Sequence, residues 1–414
     1  MATPIRHFCH LKAFTRLHIQ RGLVSLIPLL FLSGCNAPAT QKPTASPAAI
    51  LATITLPPSQ TATSIPSPSL TASPTPTLTI TPTLSPTPTA SATITPTPAS
   101  LPAFTSPLLR VGVKPAAYLN EPCEYLRLRW SLEGSTPGTV VVPIMFHSIR
   151  AAGKELLEGD ETSITEEQFQ SLVWFANQNG YQTITTAQLS DFLHTNARIP
   201  PLSMILIIDD RRPGTVENYL LPVANQNNWT ITLGWLIGNT DEMLWTWMER
   251  LNATGRLDVQ SHGYNHIYIT EQTSEEVIRE EIFNPIAIIQ QHFGQRPVAF
   301  IWPGGNFTSL AVSIAQEYGY QLGFTAFSRG PLMFNWIPQG EEERAVANPL
   351  MTLPRSWSTD QTLPLDNGIQ IGAAAQAEAI KNYAQEAAYY RMYCGGELPP
   401  LEEILPTPTP RSGG

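Results

Sequence analysis

The sequence predicts an α/β protein, a distorted (β/α) barrel preceded by a disordered Thr/Pro-rich stalk. From Val140 onward, short apolar runs alternate with segments of helical periodicity, a pattern typical of a parallel sheet with helices outside it. The number of such units in one run favours a closed or nearly closed barrel over an open sheet. Polar residues suited to an active site follow several of these runs, where the carboxyl ends of barrel strands would share one rim.

Residues 1–35 are predicted to be an export signal. Basic residues precede Gly22–Leu32, an apolar run that is short for a membrane span and typical of a signal peptide. The run ends in Leu32-Ser33-Gly34-Cys35, which resembles the bacterial lipobox, in which the cysteine is lipidated. We therefore expect Cys35 to carry a lipid that anchors the protein to the outer face of the cell membrane, outside the cytoplasm. An ordinary membrane anchor is the alternative.

Residues 36–105 consist almost entirely of Thr, Pro, Ser and Ala. Such a segment buries too little apolar surface to offset the chain entropy lost on folding. Its prolines keep it extended, so we predict a disordered, semi-rigid linker.

The net charge of the whole chain, −9, argues against a nucleic-acid-binding protein. No feature of the sequence indicates a protein partner.

Residues 106–139 are predicted to be a flank with short strands, because Tyr125–Trp130 alternates apolar and charged side chains. The flank contains Cys123, and Cys394 lies near the other end of the folded part. Once the signal is removed and its last cysteine is lipidated, these two thiols remain. We expect them to pair in an oxidising compartment. Two free, buried thiols are the alternative.

Residues 140–360 are predicted to be the catalytic domain, and residues 361–414 a C-terminal helix and tail. The strands are short apolar runs, at Val140–Phe146, Met204–Ile208, Thr230–Ile237, Leu257–Gln260, Val298–Trp302 and Gln321–Thr325. The helices repeat apolar residues at helical intervals and end at glycines or polar caps, at Thr165–Asn179, Gln188–His194, Val216–Gln226, Glu242–Ala253, Ser274–Phe293, Ser309–Tyr318 and Ala373–Tyr393.

Two histidines, His262 and His266, stand four residues apart behind an apolar run, with a glycine between them. On a helical turn this spacing puts both imidazoles on one side, where they can bind one metal ion. A third ligand is needed, and the best candidate is the acidic pair Asp209-Asp210, which also follows an apolar run. We therefore predict a divalent metal site, with zinc as the first choice and cobalt as the second.

Three stretches carry a resemblance to a known family. They are Ile207-Ile208-Asp209-Asp210, Ser261-His262-Gly263-Tyr264-Asn265-His266 and Trp302-Pro303-Gly304-Gly305-Asn306. In this order they resemble the first three motifs of the polysaccharide deacetylases (NodB-type, carbohydrate esterase family four), the third being a Pro-aromatic-Gly loop. The resemblance covers roughly residues 140–358, about half of the chain.

The resemblance implies a role for each matched residue. Asp210, His262 and His266 would bind the metal, which would polarise the acetamide carbonyl. Asp209 would be the general base that takes a proton from the attacking water. A backbone N–H of the loop Pro303-Gly304-Gly305 would help to stabilise the oxyanion.

The chain also departs from the family pattern. The usual general acid is a late histidine, but no histidine follows His292. His147, after the first strand, resembles the early histidine of a circularly permuted branch, and we assign it as the general acid; a packed histidine is the alternative. Arg211 replaces the glycine after the acidic pair. The base-orienting arginine is absent from the third motif, and Leu353-Pro354-Arg355 resembles a late segment of the permuted branch, so Arg355 is expected to supply that charge.

The sequence therefore predicts a metal-dependent hydrolase that removes N-acetyl groups from a cell-surface or cell-wall polysaccharide. Trp302 and Tyr264 flank the expected metal and are the candidates for stacking on a sugar ring. An O-acetyl glycan esterase that uses the same residues is the nearest alternative. A non-catalytic glycan-binding lipoprotein is the other, suggested by Arg211 and the missing arginine. Retention of Asp209 argues against it, because a binding protein needs no general base.

Overall fold

The computed structural model describes residues 101–156 and 158–405. The predicted signal, Cys35 and the linker up to residue 100 lie outside this part of the chain, as does the tail after residue 405. Across the described ranges, no helix combines the length and the apolar character needed to cross a membrane.

The strands of the described chain form one large sheet and two small ones. In chain order they are β1 (Lys114–Ala116), β2 (Val140–Phe146), β3 (Ile149–Arg150), β4 (Ile164–Thr165), β5 (Gln182–Thr183), β6 (Leu202–Asp209), β7 (Ile231–Trp235), β8 (Leu257–Ser261), β9 (Ala299–Ile301), β10 (Leu322–Phe324), β11 (Ile337–Gln339) and β12 (Ser356–Trp357).

The helices largely follow the predicted segments. They are α1 (Pro122–Arg129), α2 (Glu166–Gln178), α3 (Thr186–Thr195), α4 (Pro213–Thr215), α5 (Leu221–Asn227), α6 (Glu242–Asn252), α7 (Glu275–Phe293), α8 (Ser309–Glu317), α9 (Glu341–Val346), α10 (Leu363–Tyr393) and α11 (Leu401–Ile404). A π-helical turn, Val216–Leu220, joins α4 to α5, and short 3₁₀ turns occupy Pro303–Gly305, Pro349–Met351 and Ser358–Asp360.

The large sheet has eight parallel strands in the order β10-β9-β8-β7-β6-β2-β12, with β5 paired to the start of β6. Its two longest strands, β2 and β6, pair from Val140↔Leu202 to Phe146↔Ile208. Every residue of β2 is buried. Strands covered on both faces have this continuous apolar character, which is why the sequence shows them as unbroken runs.

Residues 353–357 link the two edges of this sheet. Leu353 bridges Phe324 of β10 in parallel, and β12 pairs in parallel with β2. The sheet therefore curves into a distorted barrel, as predicted. Because its strands are parallel, their carboxyl ends share one rim.

Helices α2 and α3 begin at capping boxes, which explains why the sequence marked their starts well. Thr165 and Thr185 each accept a hydrogen bond from the backbone N–H three residues later. The glutamines there, Gln168 and Gln188, accept a hydrogen bond from the N–H of the capping threonine. Caps of this kind contribute about 1 kcal/mol each to helix stability.

The flank before the barrel differs from the prediction, because Tyr125–Trp130 is not a strand. It lies in α1 and its C-terminal cap, and Glu121 caps the start of that helix by accepting a hydrogen bond from the Glu124 N–H at 2.6 Å. Leu126 and Trp130 are both buried in one cluster. They are four residues apart, a helical spacing that the alternation of apolar and charged residues concealed. The flank does contain one strand, β1, which pairs antiparallel with β11.

The folded part also begins before residue 106. Phe104 lies 5.6 Å from Trp336 between ring centroids, and its carbonyl accepts a hydrogen bond from Trp336 Nε1 at 3.0 Å. Leu101 packs against the buried cluster that contains Leu126. The predicted linker boundary at residue 105 is therefore several residues too late.

Helix α10 is longer than the predicted Ala373–Tyr393 and packs along β2. Gly372 permits a close approach, because a Cβ at this position would lie 2.7 Å from the Gly138 carbonyl oxygen. Just after the helix, Cys394 is bonded to Cys123, with Cα atoms 5.4 Å apart. The predicted disulfide is thus present and joins α10 to the start of α1.

A buried acid lies near this junction. Glu386 of α10 accepts a hydrogen bond from Trp130 Nε1 at 2.5 Å, and its carboxylate lies 3.4 Å from Arg129 Nε. Burial raises the pKa of Glu386, although Arg129 and Trp130 partly offset this effect. The disulfide and this pair hold together the end of the molecule away from the rim.

Candidate active site

Polar side chains from separate segments reach the rim at the carboxyl ends of the strands. They are His147 after β2, Asp209-Asp210 at the end of β6, His262 and His266 after β8, the loop Pro303–Gly305 after β9, and Arg355 before β12. All were expected to contribute to the site, and the parallel sheet brings their segments to one edge.

Asp210, His262 and His266 offer ligand atoms that all lie within 4.8 Å of one another. Asp210 Oδ1 is 3.7 Å from His262 Nε2 and 3.5 Å from His266 Nε2, and the two Nε2 atoms are 3.1 Å apart. One carboxylate oxygen and two imidazole nitrogens are a ligand set typical of a catalytic zinc site, in which further positions stay open for water and substrate. The residues present therefore fit a divalent metal.

The two histidines do not lie on a helical turn, so that part of the expectation is wrong. They flank a loop in which Gly263 has φ 84° and His266 has φ 62°. Asp210 has φ 68° as well. Two of the three proposed ligands are thus non-glycine residues in the left-handed region, an arrangement that costs about 1–3 kcal/mol per residue and needs support from its surroundings.

His262 is fixed by the neighbouring strand. Its Nδ1 lies 2.9 Å from the carbonyl oxygen of Ile301. A proton on Nδ1 makes this hydrogen bond and leaves the Nε2 lone pair free to face the metal position. Burial lowers the pKa of His262, against the raising effect of Asp209 and Asp210. The imidazole is therefore held neutral, as metal binding requires.

Glu281 supports the histidine loop, a role that the sequence analysis missed. This carboxylate is almost fully buried on α7 and accepts hydrogen bonds from the N–H groups of Asn265 at 2.7 Å and Ile267 at 2.9 Å. A Cβ on Gly263 would lie 2.2 Å from Glu281 Oε1, so only glycine fits there. The available signal was a charged residue on the apolar face of α7, next to Ile278 and Ile282.

Asp209 forms a buried ion pair with Arg355. Arg355 Nη1 lies 2.7 Å from Asp209 Oδ1 and 2.9 Å from Oδ2, and Arg355 Nε donates to the Thr325 carbonyl at 2.7 Å. Burial alone would raise the pKa of Asp209, but Arg355, then His262 and His147, outweigh it and the net pKa is lowered. Asp209 is thus ionised, and its Oδ2 is 4.0 Å from His262 Nε2.

His147 lies partly buried at the end of β2. Its ring stacks on Trp357 of β12, with centroids 5.8 Å apart and planes 13° apart. Its Nδ1 is buried, and no described residue forms a hydrogen bond with it. Burial lowers the pKa of His147, and the charges of Asp209 and Asp210 partly restore it.

The aromatic residues at the rim differ from those expected. Trp302 is fully buried and donates its Nε1 hydrogen to the Met351 carbonyl at 2.9 Å, so it cannot stack on a sugar. The sequence missed this because the apolar run Val298–Trp302 does not show which way its last side chain turns. Tyr264 is partly buried and packs against the main core cluster. The exposed aromatic beside the ligands is instead Tyr268, whose ring lies 5.3 Å from that of His266.

The loop after β9 contains a backbone N–H that has no acceptor among the residues that the structure describes. Gly304 and Gly305 have φ 63° and 77°, which glycine adopts without strain. The Gly305 N–H donates to the Trp302 carbonyl at 2.8 Å. Within the described ranges, no residue accepts a hydrogen bond from the Gly304 N–H.

The two arginines after the acidic pair turn in different directions. Arg211 donates to the Gly238 carbonyl at 2.5 Å. Arg212 Nη2 lies 3.4 Å from Asp210 Oδ2, the oxygen not turned toward the histidines. Arg212 thus adds a cation beside the proposed metal ligand, whereas Arg211, which replaces the glycine of the family pattern, turns toward Gly238.

Comparison with known proteins agrees with these motifs. Residues 198–323 match a family model described as polysaccharide deacetylase. A curated relative, the putative polysaccharide deacetylase YxkH of Bacillus subtilis (strain 168), is 22% identical over 187 residues, which are 44% of this chain and 63% of the relative. The chain thus spans slightly less than two thirds of the length of that relative.

Two solved structures are similar to the chain. The Streptococcus pyogenes deacetylase PplD, in complex with acetate, has a TM-score of 0.45 and 19% identity, over 57% of this chain and 99% of that one. IcaB from Ammonifex degensii has a TM-score of 0.43 and 19% identity, over 58% of this chain and 98% of that one.

Proposed function

We propose that this protein hydrolyses N-acetyl groups of a cell-surface or cell-wall polysaccharide with the help of a divalent metal, because residues 198–323 match a family model described as polysaccharide deacetylase. One observation carries the proposal. Three metal-ligand side chains, Asp210, His262 and His266, converge beside a second carboxylate, Asp209, which a buried arginine holds in place.

Asp210, His262 and His266 would hold the metal, and zinc or cobalt suits their one oxygen and two nitrogens. When bound, the metal supplies Lewis acidity that polarises the acetamide carbonyl and activates water. Arg212 lies on the other oxygen of Asp210 and keeps that carboxylate oriented.

Asp209 acts as the general base. Arg355 contacts both of its oxygens, which keeps it ionised and fixes its orientation before the substrate arrives. It accepts the proton of the water that attacks the carbonyl carbon. The negative charge that develops on the carbonyl oxygen receives a hydrogen bond from the Gly304 N–H, which has no acceptor within the described chain.

His147 acts as the general acid. When the C–N bond breaks, the amine must gain a proton, and His147 donates it while the new C–O bond leaves acetate as the other product. Stacking on Trp357 fixes the imidazole plane. The position of His147 directly after β2, ahead of Asp209 in the chain, suits a circularly permuted order of the family's elements.

We further propose that Cys35 is lipidated and anchors the protein to the outer face of the cell membrane. The Thr/Pro-rich linker would then separate the barrel from the membrane and let it reach surface glycans.

Acetate release from chitooligosaccharides tests the function, with the full-length protein and added zinc or cobalt. Wild-type protein should release acetate, and chelation should stop it. Asp209→Asn should lower kcat by about 100-fold or more, as expected for the loss of a general base. The matched control is Asp191→Asn, at an exposed position on α3.

Three outcomes would contradict the proposal. Full activity of Asp209→Asn would exclude Asp209 as the base. A protein that binds zinc but releases no acetate from any N-acetylated glycan would be a glycan-binding protein, and release from O-acetylated glycans alone would make it an esterase.

A further inference from the structure

An exposed aromatic ring lies beside one of the proposed metal ligands and beside the Pro303–Gly305 loop. The ring of Tyr268 meets that of His266 edge to face, at 5.3 Å and 61°. The ring also lies close to the loop, because a Cβ placed on Gly304 would lie 3.0 Å from Tyr268 Cε1. Tyr268 is 57% exposed, so much of its ring faces solvent at the mouth of the site.

Gly304 makes room for this ring. A side chain at position 304 would be strained at φ 63°, and its Cβ would also approach Asn306 Oδ1 at 3.1 Å. Glycine at position 304 therefore leaves the space beside its N–H open on the side of Tyr268. Tyr268, from the histidine loop, fills the space beside it.

The other rim aromatics are already engaged. Trp357 stacks on His147 and donates its Nε1 hydrogen to the Ala326 carbonyl at 3.0 Å. Trp302 is buried. Tyr268, by contrast, has an open surface and contacts both a proposed metal ligand and the proposed oxyanion donor.

We propose that Tyr268 is a substrate-positioning residue whose ring stacks on the sugar that carries the scissile acetamide. The inference rests on the proposed deacetylase function and defines its substrate class as a pyranose glycan, in preference to small acetyl compounds. The apolar face of a pyranose ring gains by covering an aromatic surface. A sugar held there would direct its acetamide toward His266 and Gly304.

A purely structural role makes a different prediction. If Tyr268 only braces His266, its loss should weaken metal binding and slow every substrate equally. If it stacks on a sugar, its loss should act on glycans and much less on substrates without a sugar ring. The ratio of kcat/KM for a glycan to kcat/KM for a small ester separates the two roles.

The experiment compares Tyr268→Ala and Tyr268→Phe in the zinc-loaded, full-length protein, with chitotetraose and 4-nitrophenyl acetate as substrates. We expect Tyr268→Ala to lower the ratio about 3- to 10-fold, mainly through the glycan KM, as for the loss of one aromatic contact. Tyr268→Phe should keep the wild-type ratio, since only the ring is needed. Trp174→Ala is the matched control, an exposed aromatic residue on α2. Equal losses on both substrates, or loss of zinc from Tyr268→Ala, would overturn the inference.

Binding measurements separate failure of this inference from failure of the proposed function. Chitotetraose affinity is measured by calorimetry in Asp209→Asn, with and without Tyr268→Ala. Tyr268-dependent binding without acetate release by the wild type would retain the sugar contact and reject the deacetylase. If the wild type releases acetate and Tyr268→Ala has the same glycan KM as the wild type, the sugar contact alone is rejected. If the protein neither binds chitotetraose nor releases acetate, both the sugar contact and the deacetylase function are rejected.

Discussion

The two ends of the barrel differ in backbone strain and in the bonds that hold them. At the rim, Asp210 and His266 adopt left-handed backbone conformations around a shared point. At the other end, Cys123 and Cys394, 271 residues apart in sequence, are joined covalently. A cavity of about 190 Å³ opens near that end, lined by aromatic residues such as Phe104 and Trp336 and by none of the proposed metal ligands.

Backbone strain is therefore concentrated at the rim, whereas the other end contributes to the stability of the fold. The strained rim is supported by two buried side chains. Glu281 accepts hydrogen bonds from the N–H groups on both sides of His266, and Arg355 neutralises the charge of Asp209. The disulfide instead restricts the unfolded chain and involves none of the proposed site residues. Substitutions at the rim should therefore reduce activity, whereas substitutions at the other end should reduce stability and leave activity intact.

The largest effect is expected for a metal ligand. His262→Ala removes one of three proposed ligands, so the purified protein should retain little zinc. Loss of a metal contribution of several kcal/mol corresponds to a fall in kcat/KM of about 1,000-fold or more. His292→Ala is the matched control, since this histidine lies on α7 and contacts Glu249 at 2.7 Å, outside the rim. Zinc content at the wild-type level in His262→Ala would disprove the ligand assignment.

Arg355→Met should damage stability as well as activity, because the rim also buries charge. It leaves the Asp209 carboxylate buried without its partner, which costs about 3–5 kcal/mol of unfolding free energy. The double variant Asp209→Asn/Arg355→Met removes both charges and should recover much of this stability, but no activity. Urea unfolding and acetate release measure the two effects. A double variant as unstable as Arg355→Met would show that packing, not charge pairing, accounts for the loss.

The stability of Arg355→Met should also depend on pH in a defined direction. In the wild type, the pKa of Asp209 is lowered, so its contribution is present above the unfolded value of about 3.9 and is lost as the pH falls below it. Burial raises the pKa of Asp209, and Arg355 is the largest of the effects that lower it. In Arg355→Met the effect of burial is less offset, so the pKa of Asp209 rises. The deficit of the variant should therefore be full at neutral pH and shrink on acidification, as Asp209 takes up a proton. A deficit independent of pH would contradict the ion-pair explanation.

The sequence predicted the barrel well, because its strands are buried on both faces and read as uninterrupted apolar runs, such as Val140–Phe146. It also predicted the polar residues of the rim, since His147, Asp210 and the two proposed histidine ligands follow strands. It could not predict backbone conformation: the spacing of His262 and His266 indicated a helical turn, whereas a glycine and a left-handed histidine bring them together.

The directions of side chains and their contacts with residues distant in sequence could not be predicted from the sequence either. Whether Trp302 turns into the core or toward a substrate depends on Met351, a residue 49 positions away. The support by Glu281 depends on how α7 packs against the histidine loop. The strand predicted at Tyr125–Trp130 failed because two periodicities fit a short segment, and burial against α10 decided between them.

The other end of the barrel is tested by removing its disulfide. The double variant Cys123→Ser/Cys394→Ser should lose about 2–5 kcal/mol of unfolding free energy, since a long loop of the unfolded chain is released. Its kcat/KM for acetate release should match the wild type at temperatures where it remains folded. Thermal unfolding and activity are measured on the same samples. A large loss of activity in the folded variant would contradict the division between the two ends.

The smallest effect sharpens the role of His147 at the rim. Trp357→Ala removes the ring on which His147 stacks, so kcat should fall about 3- to 10-fold through poorer orientation of the acid. Burial lowers the pKa of His147, and opening this side to water should raise it. An acid must be protonated to work, so activity declines as the pH rises through this pKa. A higher pKa therefore moves the alkaline limb of the kcat profile to higher pH, with Trp174→Ala as the control. An alkaline limb that stays in place would favour a packed histidine at the end of β2 over a proton donor.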